Sequence, residues 1–158
     1  MILRDAIPAD AKSICRIWND AIRDSTATFT SEEKSTAKMS EQIENARIFL
    51  VAEHGPEVLG FCTMSAFRAG SGYAGCGELT LYVEEGARGN GVGASLLSAL
   101  ETRAKILNIH SLVGAISGTN GPALAFHLAK DFKEVGRMPK IARKFGQKLD
   151  LVLMLKKL

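Results

Sequence analysis

Apolar residues recur along the chain with two different periods, and the switches between them outline the elements. Ile14, Ile17, Trp18, Ala21 and Ile22 fall three or four positions apart, which makes one stripe of a helix. Pro8-Ala9-Asp10 opens that helix, with Asp10 in the N-cap position. Leu96, Leu97, Leu100, Ala104 and Leu107 give the same signature over residues 92–107. A shorter helix is predicted over 36–45, and Pro122 suits the first turn of another running to Lys130. Between them, residues 2–4, 48–52, 58–67, 79–83, 112–116, 133–138 and 149–155 read as strands. Gly55-Pro56 turns the second strand back into the third as a hairpin. In the 79–83 strand, alternation sets Glu78, Thr80 and Tyr82 on one face and Leu79, Leu81 and Val83 on the other. Residues 25–35 and Gly70-Ser71-Gly72 are polar and turn-like. Strands and helices in this order predict an α+β fold with a mixed sheet, layered between helices.

Composition narrows the class without naming a function. The chain has 158 residues, read as one domain over 1–158. A chain of this size hides ~70% of its unfolded surface and needs no metal or disulfide to build a core. With 46% hydrophobic and 23% charged residues, it reads as an ordinary globular protein, neither disordered nor collagen-like. No uncharged apolar run approaches the ~20 residues of a membrane helix. Met1-Ile2-Leu3-Arg4-Asp5 is not a signal peptide, so a cytoplasmic location is expected, with no membrane partner. Cys15, Cys62 and Cys76 form no CxxC pair; they are expected to be small buried hydrophobes, with no metal and no disulfide. A net charge of +3 argues against nucleic acid as a partner. The basic excess is uneven, however. Arg137, Lys140, Arg143, Lys144, Lys148, Lys156 and Lys157 face a single acid, Asp150, in the last stretch of chain. That imbalance reads either as a solvated surface or as the neighbourhood of an anionic ligand.

The most informative segment is Arg88-Gly89-Asn90-Gly91-Val92-Gly93, which follows a strand and opens a helix. Helix starts leave several N–H groups unpaired and carry partial positive charge. Glycines let the backbone approach a ligand with no Cβ in the way, and Arg88 adds a planar donor fork. Together they make a phosphate cradle. A Walker loop is excluded because no Lys-Ser/Thr follows. A dinucleotide fingerprint fits Gly89, Gly91 and Ala94 in spelling, but the strand 112–116 lacks the acid it requires. A plain tight turn and the R-x-x-G-x-G pyrophosphate loop of coenzyme A binding proteins remain.

That last pattern resembles the GNAT superfamily of N-acetyltransferases, and the resemblance runs over the whole chain. It is nearest to the phosphinothricin/methionine sulfoximine acetyltransferase group. The matching positions are Thr26-Ala27-Thr28-Phe29, Phe67-Arg68 with Tyr73, Glu78, Leu81-Tyr82-Val83, residues 88–93, Asn120 and His127. The tail adds Arg143-Lys144-Phe145-Gly146 and Leu149-Asp150-Leu151. The resemblance implies a GNAT fold: a mixed, mostly antiparallel sheet of about seven strands flanked by about four helices. It implies acetyl-CoA as co-substrate, no metal, and a homodimer.

It also implies roles. Glu78 would act as general base on the amine, directly or through water. Backbone N–H groups at Leu81, Tyr82 and Val83 would polarise the thioester oxygen. Arg88, Gly89, Asn90, Gly91, Val92 and Gly93 would hold the pyrophosphate, and Asn120 the cofactor arm, unless Asn120 is only a helix cap. His127 stands where many members carry a tyrosine acid; it would donate to the leaving thiolate, hydrogen-bond the cofactor, or simply pack. Lys130-Asp131-Phe132 departs from the usual Leu-Gly-Phe, and losing that glycine is expected to alter the helix end beside His127. Arg68, Gly70, Ser71, Gly72 and Tyr73 would bind the substrate, the consecutive amides cradling a carboxylate, with Phe29 as an apolar wall. Ala74 replaces a frequent basic residue there. Arg143-Lys144-Phe145 would lie at a dimer surface or near the substrate cleft. The expected activity is acetylation of a small amino-acid-like amine by direct transfer in a ternary complex. The alternatives are a protein or peptide N-acetyltransferase and a non-catalytic CoA-binding module.

Overall fold

Turn chemistry starts the sheet. Gly55 takes a left-handed φ of +57° in the tight turn between β2 (Ile48–His54) and β3 (Glu57–Ala66), a conformation that glycine adopts without a Cβ clash. The computed structural model describes residues 1–158. Its other strands are β1 (Ile2–Asp5), β4 (Cys76–Val83), β5 (Ser111–Ser117), β6 (Lys133–Lys144) and β7 (Gln147–Lys157). They form one seven-stranded sheet in the order β1-β2-β3-β4-β5-β7-β6. Every neighbouring pair is antiparallel except β4 and β5, which run parallel. Four helices complete the chain: α1 (Ala11–Asp24), α2 (Thr36–Asn45), α3 (Val92–Ile106) and α4 (Gly121–Ala129).

Alternation along the strands buries both faces. Leu50, Leu79, Leu112 and Met154 meet Leu96, Leu97 and Leu100 of α3, with Leu124 and Phe126 of α4 packed alongside. On the opposite face Phe49, Val51 and Phe61 meet Ile14 and Ile17 of α1 and Met39 and Ile43 of α2. Each such side chain, fully buried, contributes about 1.5–3 kcal/mol. The mostly antiparallel sheet of seven strands and four helices agrees with the architecture the resemblance implied. The two faces of β4 also fall as alternation predicted.

Three local expectations need correction. Asp10 precedes α1 but its carboxylate does not cap that helix; it accepts the Ile7 N–H at 2.8 Å and pairs with Arg4 at 2.7 Å. Arg4, which also reaches Glu53, holds the Asp10 carboxyl below the usual carboxylate range. Second, β6 continues past Pro139 to Lys144. A register break between Met138 and Ala142 absorbs the proline, with Lys140 at φ +53° and its N–H on Asp150 Oδ1 at 2.9 Å. Third, the end of α4 is intact without its glycine. Asp131 takes the left-handed position at φ +66°, donating to Leu128, while Phe132 donates to the His127 carbonyl at 3.0 Å. This is the paired closure usual after helices that end in glycine. Cys15 and Cys62 are buried as expected, but Cys76 is only half-buried.

Asp131 therefore holds a backbone conformation that disfavours a Cβ. Asp131→Gly should stabilise the chain by about 0.5–1 kcal/mol, read from the midpoint of denaturant unfolding.

Candidate active site

The site is built around a fork. β4 and β5 pair over four residue pairs, from Cys76↔Ser111 to Leu79↔Gly114, and then separate. Beyond that point β4 stays paired with β3 as far as Val83↔Gly60. β5 stays paired with β7 as far as Ser117↔Leu151. The diverging halves are thus held only from outside. Glu84 N–H donates to the Leu59 carbonyl at 2.8 Å. Strand alternation then turns the Tyr82 amide toward β3 and the Leu81 and Val83 amides into the gap. Of the three residues expected to offer amides, two face the fork; Tyr82 does not.

The glycine loop lies at the open end of β4. Gly89 and Gly91 sit at φ +77° and +80°, so the sequence supplies glycine where the backbone turns left-handed. None of the amides of residues 89–94 donates to a carbonyl or side chain of the chain. Six N–H groups at the start of α3, where the helix dipole is positive, thus have no partner within the chain. Arg88 Nε donates to the Val83 carbonyl at 3.1 Å, which ties the loop back to the strand. These unspent donors fit a pyrophosphate.

Glu78 stands one residue before the pairing ends, on the face away from α3, half-buried and free of any ion pair or hydrogen bond within the chain. Burial pushes its carboxyl above the usual carboxylate range. His127 lies on the other face, with its ring against Gly114. A Cβ at Gly114 would stand 3.2 Å from Nε2 and Cδ2, a tight contact that would press on the ring. Nδ1 donates to the Ala123 carbonyl at 2.8 Å. Burial holds the imidazole below its ordinary value and therefore neutral at pH 7. Nε2 is then an acceptor with no partner in the chain. Asn120 is the N-cap of α4, its Oδ1 accepting Ala123 N–H at 3.2 Å. Its Nδ2 makes no bond within the chain.

A cavity of about 580 Å³ opens at the other end of β4. Arg68, Gly70 and Tyr73 line it, while Ser71, Gly72 and Phe29 do not. Arg47, Gln42, Asn45, Thr63 and Thr80 also face it and were not read as site residues. Thr63 and Thr80 pair across β3 and β4 on the Glu78 face. Two threonines amid an otherwise apolar alternation were the available signal. Lys144, expected at a dimer surface or near the substrate cleft, is turned inward, while Phe145 beside it is exposed.

The profile described as the acetyltransferase (GNAT) family matches residues 14–132. The chain belongs to the GNAT acetyltransferase family. By that membership it is an N-acetyltransferase. An L-methionine sulfoximine/L-methionine sulfone acetyltransferase from Pseudomonas paraeruginosa is 34% identical over 157 residues, covering 96% of this chain and 91% of the relative. A solved phosphinothricin acetyltransferase from Sinorhizobium meliloti, in complex with acetyl-CoA, superposes with a TM-score of 0.94 at 31% identity, covering 99% of this chain and 88% of that one. A solved ribosomal-protein-alanine N-acetyltransferase from Brucella melitensis gives a TM-score of 0.94 at 32% identity, with both chains fully covered. No helix in this GNAT chain is long and apolar enough to cross a membrane.

The Glu78 environment carries a stability consequence. Its folded-state pKa lies above the unfolded value, so its contribution is fully present at acid pH and is lost as pH rises through the raised value. Glu78→Gln should therefore unfold at a higher temperature than the wild type at pH 7, with the gap closing below the ordinary carboxylate range. Calorimetric melting temperatures across pH test this.

Proposed function

We propose that the chain transfers an acetyl group from acetyl-CoA to the primary amine of a small amino-acid-like substrate, of the methionine sulfoximine, methionine sulfone or phosphinothricin type. The observation that carries this reading is the fork with Glu78 at its closed end and six free amides at its open end. The activities named for the Pseudomonas and Sinorhizobium relatives support the substrate class, and the acetyl-CoA complex of the second supports the acetyl donor.

Acetyl-CoA would supply an acyl carbon already activated as a thioester. The residues 88–93 hold its pyrophosphate on backbone N–H groups, and the Asn120 amide nitrogen meets its arm. The Leu81 and Val83 amides donate to the thioester oxygen as charge builds there, a fixed-dipole effect strongest in a dry cleft. Glu78 takes a proton from the substrate ammonium; its raised pKa brings it nearer neutral pH, where a base works best. His127, neutral and with a free Nε2, is not the source of the sulfur's proton: the departing thiolate takes the second proton that the amine nitrogen sheds as the amide forms, and the resulting thiol donates to Nε2. Arg68, with Gly70 and Tyr73, engages the substrate carboxylate, and Phe29 walls the fork side.

Direct transfer in a ternary complex is favoured because no activated nucleophile accompanies the fork. Burial pushes the Cys62 thiol up to about 12, and it raises Cys76 as well. The chain acts as a homodimer, with exposed Val135, Met138, Ile141 and Phe145 of β6 and its turn as the apolar surface available for pairing. A second reading, protein N-acetylation, draws support from the name of the Brucella relative. It requires an open groove beside Glu78 that would admit a polypeptide, and a capped pocket there would favour the small amine.

Thiol release from acetyl-CoA across a panel of amines tests the proposal: turnover is expected with methionine sulfone or phosphinothricin, and none with any amine rejects it. Glu78→Gln should lower kcat/KM by roughly 10²–10⁴-fold and remove the acid limb of the pH profile. That limb falls as pH drops through the raised Glu78 value. Gly91→Ala should weaken CoA binding at least about tenfold by calorimetry, through left-handed strain in the amide loop.

A further inference from the structure

Lys144 is the one lysine in the chain that is buried, at 3% exposure. It ends β6, immediately before a turn in which Phe145 and Gly146 take φ values of +50° and +74°. An ammonium withdrawn from water is expensive unless acceptors replace the water. No carboxylate does so here, since Lys144 forms no ion pair. Its Nζ instead donates to the carbonyl oxygens of Ser25 at 2.7 Å and Thr28 at 2.9 Å. It also lies over the Phe145 ring at 5.0 Å. Ser25 is the C-cap of α1, so the cation sits at the negative end of that helix.

The segment it grips crosses the fork. Thr26 Oγ1 meets Thr119 Oγ1 at 2.8 Å, just beyond the end of β5 and next to Asn120. Ser117 Oγ, the last residue of β5, bonds the same Thr119 hydroxyl at 3.0 Å. On the other side, Tyr82 of β4 lies near Thr28, without a hydrogen bond between them. Ser25 Oγ donates to the Ala21 carbonyl and accepts from Ala27 N–H, which shapes the start of the loop. The 25–30 loop is therefore pinned at two places, by Lys144 and by Thr119 just beyond the end of β5, and it lies against Tyr82 of β4. A methionine or leucine would fill the same space. Only a multiple donor requires two particular carbonyls to converge, and so selects one loop conformation.

We propose that Lys144 is a positioning residue for acetyl transfer: it fixes the 25–30 loop, with Phe29, as the roof over the amine side of the β4–β5 fork. This rests on the reading given under Proposed function. The role is distinct from that of the residues expected to touch either substrate, because Lys144 acts entirely through backbone oxygens of the loop.

Lys144→Met keeps the stem and removes the donors. Its KM for the amine should rise at least ~10-fold, with the KM for acetyl-CoA within ~2-fold of wild type. Backbone hydrogen exchange should accelerate in residues 25–30 and not in the 89–94 loop. Lys144→Arg, which retains a cation with several donors, should recover part of the amine KM. An unchanged amine KM in Lys144→Met, or an equal rise in both KM values, overturns the proposal. Should Lys144→Met fail to fold, Thr26→Val carries the same test by cutting the tie to Thr119: the same selective rise in amine KM supports the roof, and none refutes it. Absence of turnover in the wild type rejects the functional reading, and the kinetic role with it. Normal wild-type turnover with unaltered loop exchange in Lys144→Met rejects Lys144 alone.

Discussion

The structure turns on where one ladder of hydrogen bonds stops. Parallel strands β4 and β5 share a register only as far as Leu79 and Gly114, although both run on for several residues. Backbone N–H and C=O groups left without partners in a protein interior are costly, so an unpaired stretch persists only when something else satisfies it or forbids closure. Here the outer neighbours do the holding: β3 keeps β4 on one side and β7 keeps β5 on the other. The result is a wedge lined with peptide dipoles, inside an otherwise continuous sheet.

Around that wedge, the chemistry is divided between the two faces. Donors and the positive helix end lie at the open end and along the α3 side. The single carboxylate lies at the closed end on the α1 and α2 side. An acyl group entering from one face and an amine from the other would meet only at the wedge. The separation also keeps Glu78 away from Arg88 of the phosphate loop, whose charge would stabilise the ionised form and weaken it as a base. Burial without a partner raises its proton affinity instead.

Much of this was legible in the residues, and the boundary of legibility is physical. Glycines at 89 and 91 announce left-handed backbone because no other residue adopts it as readily, and both are left-handed. The faces of β4 follow from period-two alternation. The fork does not follow from local pattern, because it depends on how far residues 79 and 114 remain in register across the fold. For Lys144 the residues leave a dimer surface and the neighbourhood of the substrate cleft both open, because the two carbonyls that receive it lie more than a hundred positions earlier. Asp131 was expected to disturb the end of α4, yet aspartate tolerates the left-handed region well enough to keep the closure. The extension of β6 past Pro139 was hidden because a bulge, which leaves no periodic trace, accommodates the ring.

That bulge has a consequence beyond register. β6 is the outermost strand of the sheet, and it carries exposed Val135, Met138 and Ile141. A long, flat, apolar rim of this kind is a template on which foreign chains add and fibrils grow. Pro139 lacks the N–H such a newcomer needs, and Lys140 sets a charge beside it. The kink between Met138 and Ala142 breaks the straight run into two short pieces. The rim can thus stay greasy enough to be recognised by a specific surface while offering no uninterrupted track for indiscriminate polymerisation.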